Sequence, residues 1–121
     1  MRPEKLYLTD IVEAAQAIEK FIKGADLDKF AENEMMNSAV LQKLTVIGEA
    51  ASKLPKGFTK RFPEIPWKDI IGFRTIAVHE YFAVRWDIVW VAASEEAPTL
   101  RKQIEKILKD EFRDEPSRKA K

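Results

Sequence analysis

Apolar residues recur at three- and four-residue intervals through most of this chain, and no stretch alternates apolar with polar at the period of a strand. From Leu8 to Ile22 the stripe is Leu8, Ile11, Val12, Ala15, Ile18 and Ile22, with Thr9 and Asp10 suited to its first turn and Gly24 to its end. A second stripe runs Met36, Val40, Leu44, Ile47, Ala51 and Leu54, with Asn33 or Asn37 near its start and Pro55 and Gly57 past its end. Each stripe needs cover, which predicts that the two segments pair as an antiparallel helical hairpin.

The stretch 55–66 holds three of the six prolines together with Lys56, Lys60 and Arg61, and reads as a surface connection. Pro66 fits the first position of a third helix, where its missing N–H costs nothing. Trp67 to Phe82 then continues almost wholly apolar around its circumference, which predicts a helix at the centre of the fold or at a subunit contact. A fourth helical stretch runs from Asp87 to Ala97, and Pro98 either kinks it or begins a fifth helix carrying Leu100, Ile104, Ile107, Leu108 and Phe112. The expected fold is all-α, an antiparallel bundle of four to five helices in one domain spanning residues 1–112. Residues 113–121 are expected to form a disordered polar tail.

Composition narrows the chemistry. With 45% hydrophobic and 34% charged residues the chain is too charged for a membrane span and too apolar for disorder. It has no cysteine and one histidine, which excludes disulfide scaffolds, thiolate metal sites, cysteine nucleophiles and the usual zinc sites. The opening Met1-Arg2-Pro3-Glu4-Lys5 lacks the apolar core of a signal peptide, so a cytoplasmic protein with no membrane attachment is expected. Net charge is +1 overall, but residues 56–85 carry 6 basic and 3 acidic side chains, making the central third the place to seek an anionic ligand. A solvated basic loop explains the same bias.

Within that third lies Arg74-Thr75-Ile76-Ala77-Val78-His79-Glu80-Tyr81. A guanidinium and the only imidazole among Phe73, Ile76, Val78 and Phe82 are costly to bury unless paired. On a regular helix Arg74 and Tyr81 return to within roughly 20° of one face, while His79 lies roughly 140° from Arg74. The imidazole therefore joins Arg74 only if the helix ends or bends, or if two copies of the chain converge on one cleft. The set suits metal-independent RNA cleavage. An imidazole titrating near neutrality can take a ribose 2′-hydroxyl proton. A guanidinium can grip the phosphate and stabilise the charge that builds on it. The second proton donor must be Tyr81 or the His79 of a second copy, which argues for a homodimer with the two motif-bearing helices facing across a twofold axis. Without a 2′-hydroxyl, DNA should be spared.

Blander readings stand beside these. A lone His near an Arg in an apolar helix is commonly a structural pair bonded to backbone or carboxylate, and Glu80 suits a solvated partner for Arg85 or Lys68. Trp67, Trp86 and Trp90 either stack bases or fill the core and a dimer seam. Glu49, on the polar stripe Gln42, Thr45, Glu49, Ser52, either positions Arg74 or His79, or pairs with Lys53 one turn on. Arg113, Arg118, Lys119 and Lys121 in the tail either touch RNA backbone or do nothing.

The spacing Arg74, four residues, His79, one residue, Tyr81, preceded by Ile-Pro-Trp-Lys-Asp-Ile-Ile-Gly-Phe at 65–73 and followed by Phe82, resembles the HepT-like group of HEPN-domain proteins. Ile47-Gly48-Glu49-Ala50-Ala51, Leu54-Pro55, Asp87-Ile88-Val89-Trp90 and Ala97-Pro98-Thr99-Leu100 extend the resemblance over roughly residues 5 to 110. These are ribonuclease toxins encoded beside a minimal nucleotidyltransferase (MNT) antitoxin. The resemblance implies a helical homodimer whose Arg-His motifs meet at a cleft, acting on RNA with no metal or other cofactor. It makes Arg74 and His79 the catalytic pair and Tyr81 the cleft residue that the nucleotidyltransferase modifies with AMP (AMPylation), placing a phosphate and a base in competition for Arg74.

Two positions depart from the family. Thr75 stands where Asn or Asp is common, keeping a hydroxyl but weakening turnover if that side chain orients His79. Ala83-Val84-Arg85 replaces a glycine and an acidic residue, so Arg85 either contacts RNA phosphate or pairs with Glu80 or Asp87. The competing function is a non-catalytic helical nucleotide- or partner-binding subunit of a nucleotidyltransferase complex, in which Arg74 grips a nucleotide phosphate and His79 is structural.

Overall fold

A computed structural model describes residues 3–76 and 85–113, and every regular element among them is helical. The first helix, α1, spans Pro3–Phe21. It starts well before the expected Thr9, because Pro3 occupies the first position, where no N–H is required, and Glu4 suits the positive end of the helix dipole. The Thr9 hydroxyl instead donates to the Lys5 carbonyl, 2.7 Å away, inside the helix. Leu8, Ile11, Ala15 and Ile18 are fully buried, as the stripe predicts, and each large member stabilises the fold by about 1.5–3 kcal/mol. Gly24 closes the segment at φ 79°, in the left-handed region that glycine enters without a steric penalty.

A short helix that the stripes did not predict follows. In α2, Leu27–Glu32, the Asp26 carboxylate caps the Lys29 N–H at 2.9 Å, and Phe30 is fully buried. Asn33 then serves both neighbours. Its N–H bonds back to the Lys29 and Phe30 carbonyls, while its side-chain oxygen accepts from the Met36 N–H at 2.9 Å to start α3, Glu34–Ser52. Asn37, buried in the first turns of α3, donates to the Phe30 carbonyl at 3.1 Å and the Ala31 carbonyl at 3.3 Å, tying α2 to α3.

Helix α1 packs most extensively on α3 and next on the last long helix. The connection at 55–66 is mostly exposed and contains one turn, α4 (Lys56–Thr59). Phe58 and Ile65 are buried and anchor it to the core. Helix α5, Trp67–Gly72, begins one residue after Pro66 and packs chiefly on α3. Ile70 and Phe73 are buried, but Ile71 and Ile76 remain half-exposed, so this part of the third helix is a flank of the bundle rather than its centre.

The last helix settles the choice posed by Pro98. Trp86–Val91, α6, runs through a π-helical turn at Ala92–Glu96 directly into α7, Ala97–Phe112. Pro98 cannot donate to the preceding turn, and the widened turn just before it absorbs that defect without ending the helix. Gln16 meets Glu105 while Glu19 meets Arg101, so α1 and α7 run antiparallel. Phe30 sits edge-on to Trp86 at 5.8 Å and tilted against Trp90 at 5.3 Å, clamping α2 to α6. The expected tail lies outside the described residues beyond Arg113.

Candidate functional site

The third helix departs from regular α geometry at the arginine. After Gly72 the chain tightens into a 3-10 turn, Phe73–Thr75, with Arg74 at its middle. The described part of the expected helix over Trp67–Phe82 is therefore helical but changes pitch at Phe73, and the angular arithmetic for a regular helix stops at Arg74. Phe73 points into the core and anchors the turn, leaving the Arg74 side chain 40% exposed. His79, Glu80 and Tyr81 lie at 77–84, outside the described residues.

Arg74 is brought to Glu49. Its Nη1 donates to Glu49 Oε1 at 3.5 Å, linking the turn to α3. Of the partners the sequence offered Glu49, which were Arg74, His79 and Lys53, the structure brings it Arg74, and His79 lies outside the described residues. Thr75 closes its own turn, its hydroxyl donating to the Gly72 carbonyl at 3.1 Å, so that proton is spent on the conformation that carries Arg74. Gly48, within the motif Ile47-Gly48-Glu49-Ala50-Ala51, lies against the Arg74 backbone where α3 passes beneath the turn.

Arg85 grips Asp87 through two parallel bonds, Nε to Oδ1 at 3.1 Å and Nη2 to Oδ2 at 2.8 Å. This guanidinium holds the Asp87 carboxyl below its ordinary value. Both side chains are exposed, so the pair is worth little to stability and a stronger anion could displace it.

The tryptophans serve packing. Trp86 and Trp90 are half-buried against Phe30, and Trp67 is half-buried with its indole N–H donating to the Phe62 carbonyl at 3.1 Å. Away from Arg74, a cleft of about 340 Å³ between α5 and α7 is lined by the buried Ile70 and Leu100 and by the exposed Pro66, Glu64, Glu95 and Glu96, a field that repels phosphate. Among the described residues no group of three or more His, Asp or Glu is placed to hold a metal ion, and no helix is long and apolar enough to cross a membrane.

Comparison with known proteins points one way. A family model described as "Ribonuclease HepT-like" matches residues 11–107. A "Putative RNase" of Methanocaldococcus jannaschii is 40% identical over 117 residues, covering 96% of this chain and 97% of its own. A "Putative RNase" of Caldanaerobacter subterraneus is 34% identical, covering 92% of this chain and 99% of its own. A "Probable ribonuclease HepT" of Thermococcus cleftensis is 35% identical, covering 89% and 98%. No solved structure matches the chain.

Proposed function

The chain belongs to the HepT-like ribonuclease family, and on that premise we propose that it is a cytoplasmic endoribonuclease toxin that cleaves RNA without a metal ion, as a homodimer. The observation that carries the reading is Arg74. It is a solvent-reaching guanidinium on a tightened turn, tethered by Glu49, and it precedes the chain's only histidine by five residues.

In this reading Arg74 holds the scissile phosphate and stabilises the charge that accumulates on it. The His79 imidazole takes the proton of the adjacent 2′-hydroxyl, whose oxygen attacks phosphorus. The bond from phosphorus to the 5′-oxygen breaks, and that oxygen receives a proton from the His79 of a second copy or from Tyr81. The products are a 2′,3′-cyclic phosphate and a 5′-hydroxyl. Glu49 and Thr75 fix the Arg74 turn, and Arg85, by exchanging Asp87 for a phosphate, adds a contact to the RNA backbone. A cognate nucleotidyltransferase antitoxin silences the enzyme by transferring AMP from ATP to the Tyr81 hydroxyl with release of pyrophosphate.

The test is incubation of the purified protein with single-stranded RNA in excess chelator. Wild type cleaves, His79→Ala loses cleavage and Arg74→Ala keeps only a slow residual rate, both with the oligomeric state of the parent. Cleavage by His79→Ala at the original rate removes the catalytic assignment. Tight nucleotide binding with no cleavage by wild type supports the non-catalytic subunit instead. Intact mass after production with and without a cognate nucleotidyltransferase reads the modification of Tyr81.

A further inference from the structure

We propose that Gly48 is the positioning residue that sets the depth at which Arg74 sits, an inference that rests on the reading of Arg74 as phosphate clamp. Gly48 is buried on α3, immediately before Glu49. A Cβ at this position would overlap the Arg74 backbone nitrogen, lie 2.8 Å from Arg74 Cβ and lie 2.9 Å from the Ile71 carbonyl oxygen. Two of these are backbone atoms and the third is bonded directly to backbone, so no side-chain rotation relieves the overlap. The glycines at 57 and 72 face no such demand, since a Cβ at either meets nothing within 4 Å.

Glycine in mid-helix costs about 1 kcal/mol relative to alanine, so position 48 works against the propensity of α3. What offsets that cost is the close approach of the turn that carries Arg74. Adjacent residues of α3 thus fix the arginine at both ends. Gly48 sets how deep its backbone lies, and Glu49 holds its head group at 3.5 Å. Adding one methyl group must lift the turn off α3 by roughly 1 Å to reach ordinary contact, and misplacing a catalytic group by about 1 Å can cost on the order of 100-fold in rate.

The experiment is a double-mutant cycle read by single-turnover cleavage of an RNA oligonucleotide, with the melting transition of each variant measured alongside. Gly48→Ala is expected to fold and to slow cleavage about 10- to 100-fold. In the Arg74→Ala background the same change should add less than about twofold, because the group it displaces is gone. Gly57→Ala, the same change at an exposed glycine away from the Arg74 turn with open space around it, should cleave at the parental rate. A wild-type rate for Gly48→Ala, an effect that multiplies with that of Arg74→Ala, or loss of the folded state in Gly48→Ala each overturns the proposal. If Arg74→Ala itself cuts RNA normally, the clamp reading fails. The contact is then judged from backbone amide shifts of Gly48→Ala. Changes confined to residues 47–49 and 71–75 uphold the positioning role, and changes spread through the bundle remove it.

Discussion

Glu49 and Arg74 stand 25 residues apart in sequence and 3.5 Å apart in space, joining α3 to the turn that follows α5. Both side chains reach solvent, at 53% and 40% exposure, so the pair adds at most a few tenths of a kcal/mol to stability, roughly the value of an exposed ion pair. Its consequence is orientation. The carboxylate restrains a long, flexible side chain that otherwise samples many rotamers, at a modest cost in the freedom of both partners.

Glu49→Gln keeps the shape and loses the charge. Its melting temperature is expected to stay within about 2 °C of the parent. Cleavage of RNA is expected to slow roughly three- to tenfold, as Arg74 spends less time in the productive pose. Thermal melting and single-turnover rates measured on one preparation check both halves, and an unchanged rate would show that the ion pair has no part in placing Arg74.

Asn37 offers a sharper test of the fold. Its amide nitrogen serves the carbonyls of Phe30 and Ala31, in the last turn of α2, from a site only 4% exposed. Asn37→Ala takes the side-chain donor from the Ala31 carbonyl and leaves that of Phe30 with the Asn33 N–H, at a cost of about 1–3 kcal/mol in urea denaturation. Because Phe30 carries Trp86 and Trp90, loosening of α2 should also redden the tryptophan emission before the main transition. A loss below about 0.5 kcal/mol would show that α2 is held by Phe30 alone.

The long elements were legible because their stripes are long. Leu8 to Ile18 and Val40 to Ala51 repeat the helical period over several turns, and those positions are the ones buried. Helix α2 escaped notice because six residues offer one buried anchor, Phe30, too few for a period, although Asp26 and Asn33 are ordinary capping residues. The π turn at Ala92–Glu96 was visible only as a choice posed by Pro98, since either outcome satisfies the same missing donor. At the candidate site, Arg74 and Glu49 could be picked out as charged residues flanking apolar stripes. The need for Gly48 could not, because it arises from the approach of a distant backbone that no local pattern encodes.

Two ion pairs on the same helix separate strong from weak. Arg101 on α7 is only 19% exposed and reaches both Glu19 on α1 and Glu105, the latter at 2.7 Å, so it joins two helices through two carboxylates. Lys106 pairs with Asp110 along one helix, with 77% and 52% exposure. Arg101→Ala is expected to cost about 1–2 kcal/mol, including the aliphatic stem it buries. Lys106→Ala should stay within about 0.5 kcal/mol. Denaturation in low and high salt checks the ranking, and equal costs for the two variants would contradict it.

Glu96 supplies a pH dependence with a definite sign. Desolvation beside the π turn, then the negative charges of Asp69 and Glu95, hold its carboxyl above the ordinary value. A carboxyl harder to ionise in the folded chain than in the unfolded one weakens the fold once it is charged. The penalty is absent below the unfolded value, about 4.3, and grows as pH rises through that value towards the raised one in the folded protein. Glu96→Gln removes the charge and should raise the melting temperature at neutral pH by roughly 1–4 °C, allowing for solvent screening at a side chain that still reaches water. The gain should fade as the pH is lowered past 4, where the parent's carboxyl is protonated in both states. A gain that persists unchanged in acid would mean that the substitution acts through packing at the π turn rather than through the crowded charges of Asp69, Glu95 and Glu96.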